Sequence, residues 1–157
     1  MLTGSYEIPL HNMTGDVRRD IILINECLGI GEVALSDHRS SQPTREELEK
    51  VLTQARLGGM LSGKAGVVQF HMGVGKRGID VLLAIVRETE IPARHFIPTH
   101  VNRAFHLFEQ AKEFARLGGY VDITSGIREQ DASPPASSPV TPSKFFIKKA
   151  CRWTESP

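Results

Sequence analysis

Two histidines occupy matching places in two short segments. Val67-Val68-Gln69-Phe70-His71-Met72-Gly73 and His95-Phe96-Ile97-Pro98-Thr99-His100-Val101-Asn102-Arg103 are each an apolar run of strand length that ends in an imidazole and then meets residues that turn the chain. Upstream, Ile30-Gly31-Glu32-Val33-Ala34-Leu35-Ser36-Asp37-His38-Arg39 carries a carboxylate where the others carry imidazole. Neutral imidazole is a good ligand for zinc and similar metals, and a carboxylate binds or bridges a borderline cation. Glu32, His71 and His100 are therefore candidate metal ligands. Partly buried, hydrogen-bonded histidines are the commoner use of the residue, so two strand-end imidazoles by themselves leave both readings open.

Three other side chains suit the same chemistry. Arg39 and Arg103 follow candidate strand ends, and a guanidinium grips a carboxylate through two parallel hydrogen bonds. The competing reading of each is an ordinary surface ion pair. Tyr6 can donate a hydrogen bond to a carbonyl or a developing oxyanion, or be a half-buried strand residue. A different chemistry competes for the same region. Gly73-Val74-Gly75-Lys76-Arg77-Gly78 has the spacing G-x-G-x-x-G, follows a strand and opens a helix, as a dinucleotide-binding turn does. Against that reading, the following strand ends in His100, not in an acid suited to a ribose hydroxyl.

The elements that must position these groups alternate. Met1 to Tyr6 reads as the end of a strand, and Pro9 holds Ile8 extended. A helix opens at Thr14 or Gly15 with Asp16 near its positive end, and Val17, Ile21, Ile22 and Ile24 give it a short apolar face. Val33-Ala34-Leu35 is strand-like. Thr44 with Glu47 forms a capping box for a helix carrying Leu48, Val51, Leu52 and Ala55, which ends or bends at Gly58-Gly59. The strand at 67–72 leads through a glycine-rich turn into a helix over 79–86. The strand at 95–100 precedes a helix over about 104–117, closed by Gly118-Gly119. Tyr120-Val121-Asp122-Ile123-Thr124 is a further strand. Strands alternating with helices predict an α/β fold with a parallel sheet, whose ligands gather at the carboxyl ends of the strands.

The totals exclude several classes. Nineteen basic against eighteen acidic residues give a formal charge of +1 in 157 residues, so no nucleic-acid or anionic-membrane surface is indicated. No apolar stretch approaches the ~18–20 residues of a membrane span, and no export signal opens the chain. Cys27 and Cys151 make no metal or redox spacing, and a cytoplasmic location is the default expectation.

Thr3-Gly4-Ser5-Tyr6, Ser36-Asp37-His38-Arg39-Ser40, Phe70-His71-Met72-Gly73, Pro98-Thr99-His100-Val101-Asn102-Arg103 and Asp122-Ile123-Thr124-Ser125 occur here in that order. Together they resemble the metallo-type isoaspartyl (β-aspartyl) dipeptidases of the amidohydrolase superfamily. The resemblance implies a (β/α)₈ TIM barrel of which this chain is a part, from a third-strand stub through the seventh strand. It divides the chain into a partial barrel over 1–127, a Pro/Ser-rich linker over 128–143, and a short helix with an irregular tail over 144–157.

The resemblance further implies hydrolysis of β-aspartyl dipeptides at a site of two zinc ions. Glu32 falls where the family bridges its metals, commonly with a carboxylated lysine; His71 and His100 bind one metal. Tyr6 polarises the scissile carbonyl, and Arg39 and Arg103 hold the substrate carboxylate. The family's His-x-His pair and its last-strand aspartate have no counterpart in these residues. The expectation is an incomplete zinc site, a chain inactive alone, and unpaired sheet edges that favour a homo-oligomer or a complementing chain. The alternatives are a non-catalytic assembly module and a nucleotide-binding α/β domain.

Overall fold

The computed structural model of the chain describes residues 1–125. The linker and tail expected over 128–157, with Cys151, lie outside the described residues. Four parallel strands run in sequence order across one sheet: β1 (Leu2–Thr3), β2 (Gly29–Leu35), β3 (Val67–Met72) and β4 (Phe96–Thr99). Helices α1 (Val17–Leu23), α2 (Arg45–Ser62) and α3 (Asp80–Glu88) make the crossovers, and α4 (Phe105–Arg116) follows β4. Parallel neighbours need such crossovers, because a tight turn can only reverse a strand. Among the described residues no helix is long and apolar enough to cross a membrane.

The two faces of the sheet differ. Val33, Phe70, Met72 and Phe96 are fully buried and belong to one cluster with Leu48, Leu52, Leu82, Ile85, Leu107 and Phe114 of the helices. Side chains alternate between faces along a strand, so Glu32, Gln69 and Ile97 fall on the other face, where each is only half-buried. The site residues come from that second face and from the turns at its carboxyl end.

Helix ends follow the local chemistry, with two adjustments. Asp16 itself caps α1, its side chain accepting from the Arg19 N–H at 2.9 Å. The Thr44–Glu47 capping box of α2 is complete in both directions. Gly58-Gly59 neither ends nor bends α2, which runs on to Ser62 and stops at left-handed Gly63. These glycines serve packing: a Cβ on Gly58 would lie 3.0 Å from Ile21 Cβ, and one on Gly59 would lie 2.6 Å from Gly66 Cα.

The expected strand at 120–124 is not a strand. Asp122 still lies along β4, donating to the Pro98 carbonyl at 3.0 Å and accepting from Val101 N–H at 3.3 Å. A regular parallel ladder would take the second bond from residue 100. His100 has φ 64, in the left-handed region, and the donor moves one residue along. The ladder breaks there.

Candidate metal centre

Each candidate side chain reaches the centre by a different local device. Tyr6 lies three residues past β1, and its carbonyl accepts the Ala34 N–H at 2.9 Å, which lays the residue beside β2. Glu32 is inside β2, not at its end. The pairing of β2 with β3 shifts between Ile30 and Val33, and Glu32 stands in that irregularity. Ala34 pairs in register with His71, so Glu32, two residues before Ala34, shares the face of His71. His71 is the penultimate residue of β3, and His100 follows β4 in its left-handed turn.

The three candidate ligands converge. One donor atom from each of Glu32, His71 and His100 lies within 4.8 Å of the others. The His71 and His100 rings meet edge to face with centroids 4.6 Å apart. His71 Nδ1 is 2.9 Å from Glu32 Oε2 and 2.7 Å from the Tyr6 hydroxyl, which donates to the same carboxylate at 3.3 Å. On the other side of the ring, Arg39 Nη2 and Arg103 Nη1 approach His71 Nε2 at 2.9 and 3.0 Å. A guanidinium only donates, so Nε2 accepts from the arginines, and Nδ1 faces Glu32 and Tyr6. All six residues singled out in the sequence thus meet at or around one imidazole.

The electrostatics follow from burial and neighbours. Burial pushes the Tyr6 phenol up, and the Glu32 carboxylate adds to the shift, so the hydroxyl stays protonated at neutral pH. Burial pushes the His100 imidazole down, helped by Arg103 and His71, so it stays neutral and able to ligate. The hydrogen bond from Arg39 holds the Asp37 carboxyl far below the usual carboxylate range.

Three residues escaped the assignment of roles from sequence. Asp37, in the motif beside Arg39, binds that guanidinium through both oxygens, each at 2.9 Å. Thr124 Oγ1 hydrogen-bonds His100 Nδ1. Asn102 holds Thr124 from both sides, donating to its carbonyl at 2.9 Å and accepting its N–H at 3.1 Å. The run Thr99-His100-Val101-Asn102 contains polar residues that a packed strand end does not need, which was the available signal for Asn102.

The glycine turn is not a phosphate cradle at its first two glycines. Gly73 N–H donates to the Leu35 carbonyl at 2.9 Å and Gly75 N–H to the Ser36 carbonyl at 2.7 Å. A dinucleotide site needs such groups free to face the pyrophosphate. Here they tie the turn after β3 to the turn after β2.

No family model matches the chain. Two of the solved structures similar to it are beta-aspartyl dipeptidases. One is a beta-aspartyl dipeptidase from the thermophilic, keratin-degrading Fervidobacterium islandicum AW-1 in complex with beta-Asp-Leu dipeptide. It shares 54% identity with a TM-score of 0.76, over 78% of this chain and 32% of that one. The other, a beta-aspartyl dipeptidase from the same organism, shares 49% identity with a TM-score of 0.80, over 88% of this chain and 36% of that one. The chain therefore spans about a third of the length of these relatives. Over the matched residues it is similar, in sequence and in fold together, to about a third of these two β-aspartyl dipeptidases.

Proposed function

We propose that the described residues form one metal subsite and the substrate-holding arginines of a β-aspartyl dipeptidase, on a partial (β/α)₈ barrel. The convergence of Glu32, His71 and His100 within 4.8 Å, with Tyr6 and two arginines around His71, carries this reading. One carboxylate and two imidazoles fit a zinc-type ion, which takes four ligands and so keeps a position open with three. Thr124 supports the fit by fixing the His100 ring through its other nitrogen. When bound, such an ion supplies Lewis acidity and lowers the pKa of the attacking water.

The chain's own residues would divide the remaining work. Arg39 and Arg103 hold the carboxylate of the aspartyl residue. The protonated Tyr6 hydroxyl donates to the scissile carbonyl oxygen as negative charge develops there. Asp37 positions Arg39 and takes no direct part.

Titration of zinc into the chain tests the metal subsite. Measurable binding that falls in Glu32→Gln and His100→Ala supports it; equal binding by all three proteins overturns it. Among the described residues the clustered donors serve one ion, so we further propose that the 157-residue chain alone does not hydrolyse β-Asp-Leu. Chelator-sensitive turnover by the purified chain would overturn that part.

A second reading, an assembly module, is favoured by one observation. Among the described residues β1 pairs on one side only, and the sheet face bearing Gln69 and Ile97 is half-buried. An open edge pairs readily with another chain. Size-exclusion chromatography at two concentrations tests it, since a concentration-independent monomer counts against self-assembly.

A further inference from the structure

Between the turn after β2 and the turn after β3 lies a cavity of about 420 Å³, walled in part by Ser36, Asp37, Val74, Gly75, Lys76 and Arg77. Its backbone is closely packed. A Cβ on Gly73 would lie 2.3 Å from the Ser36 carbonyl oxygen, and one on Gly75 would lie 2.6 Å from it. The G-x-G spacing therefore lets the two turns touch, and the touching turns present the next two residues, Lys76 and Arg77, at the cavity.

Most of the polar groups in this wall are committed. Ser36 Oγ donates to the Gly78 carbonyl at 2.6 Å, and the Asp37 carboxylate is taken by Arg39. Lys76 and Arg77 are different. Both are exposed, and among the described residues neither charged head has a hydrogen-bond or ion-pair partner. Two adjacent cations that no described residue pairs, at a concave surface, favour an anionic ligand. Asp37 joins this cavity to the centre described above, because it lines the cavity while its Oδ2 lies 3.6 Å from His71 Nε2.

Resting on the reading of that centre as a β-aspartyl peptide hydrolase, we propose that this cavity receives the second residue of the dipeptide and that Lys76 and Arg77 select an acidic one. A dipeptide's second residue brings one carboxylate from its chain end. An acidic side chain brings another, giving one carboxylate for each cation. A neutral residue leaves one cation unpaired. The substrate class is β-aspartyl dipeptides ending in glutamate or aspartate.

The test is calorimetric titration of the 157-residue chain with β-Asp-Glu and with its neutral isostere β-Asp-Gln. The acidic peptide is expected to bind roughly fivefold tighter, the scale of one or two solvent-screened ion pairs. In the Lys76→Gln/Arg77→Gln double variant the preference is expected to fall below about twofold, and added salt is expected to shrink it in the unmodified chain. Both positions are exposed, so circular dichroism of the variant should match that of the unmodified chain. Equal affinity for the two peptides, or a preference that survives the double variant, overturns the subsite and leaves the hydrolytic reading standing. Binding of neither peptide by folded chain overturns both.

Discussion

Asp37 grips Arg39 through both carboxylate oxygens, at 2.9 Å to Nε and 2.9 Å to Nη2, and the same Nη2 reaches His71 Nε2 at 2.9 Å. The guanidinium also lies over the Tyr6 ring, 5.3 Å from its centroid. One nearly buried carboxylate thus fixes a half-exposed cation against two residues of the centre, its side chain 6% exposed against 49% for the arginine.

Asp37→Asn keeps the shape and removes the charge. Arg39 then loses its fixed pose, and affinity for a β-aspartyl dipeptide should fall roughly fivefold, the worth of about 1 kcal/mol at a screened site. Titration calorimetry reads the loss, and an unchanged far-UV spectrum shows that the fold survives.

Thr124→Val removes the hydroxyl that orients His100 and keeps the volume. Loss of a partner that holds a metal-ligating imidazole typically costs roughly 10–100-fold in metal affinity. Competition between the chain and a coloured zinc chelator measures it. Unchanged affinity would show that His100 is not a ligand, or that Thr124 does not hold it.

Asp20 predicts acid sensitivity at a place remote from the centre. It is fully buried, and burial alone would push its carboxyl up. Hydrogen bonds from Thr14 and Thr3, with the Met13 and Thr14 N–H groups, outweigh burial and hold it below the ordinary value. A depressed folded-state pKa stabilises the fold fully above the unfolded value, near ~3.9, and loses that stabilisation as pH falls through the folded one. Asp20→Asn should therefore unfold at lower urea than the unmodified chain at pH 7, with the gap narrowing steadily below about pH 4. Urea melts at several pH values give the comparison.

Gly59→Ala sets helix propensity against packing. In a free helix the change stabilises by about 1 kcal/mol. Here the added Cβ would meet the Gly66 Cα at 2.6 Å and its N at 2.7 Å, backbone atoms that cannot swing aside. The expected result is net destabilisation of about 1–3 kcal/mol, read as a lower urea midpoint at unchanged slope.

Sequence patterns sufficed for features that depend on neighbours along the chain. The capping box at Thr44, the strands at β2 and β3, and the glycines that close α4 are local decisions, and each is found in place. All six candidate site residues also converge, because strand ends of a parallel sheet bring distant histidines together at one edge. What escaped the sequence depends on contacts across the fold. Gly58-Gly59 looks like a helix break until Ile21 and Gly66 are seen lying against it. The segment at 120–124 has a strand's composition, yet the left-handed turn at His100 displaces one rung of its ladder. Asp37 and Thr124 are common residue types whose roles appear only with Arg39 and His100 beside them.

The clasp of Asn102 on Thr124 gives the centre an order of assembly. His100 leaves the ribosome 24 residues ahead of the threonine that orients it. Until that later segment folds back over β4, the imidazole lacks the hydrogen bond that holds its Nδ1. The segment carrying Thr124 therefore sets the geometry of a candidate ligand that lies 24 residues before it in the chain.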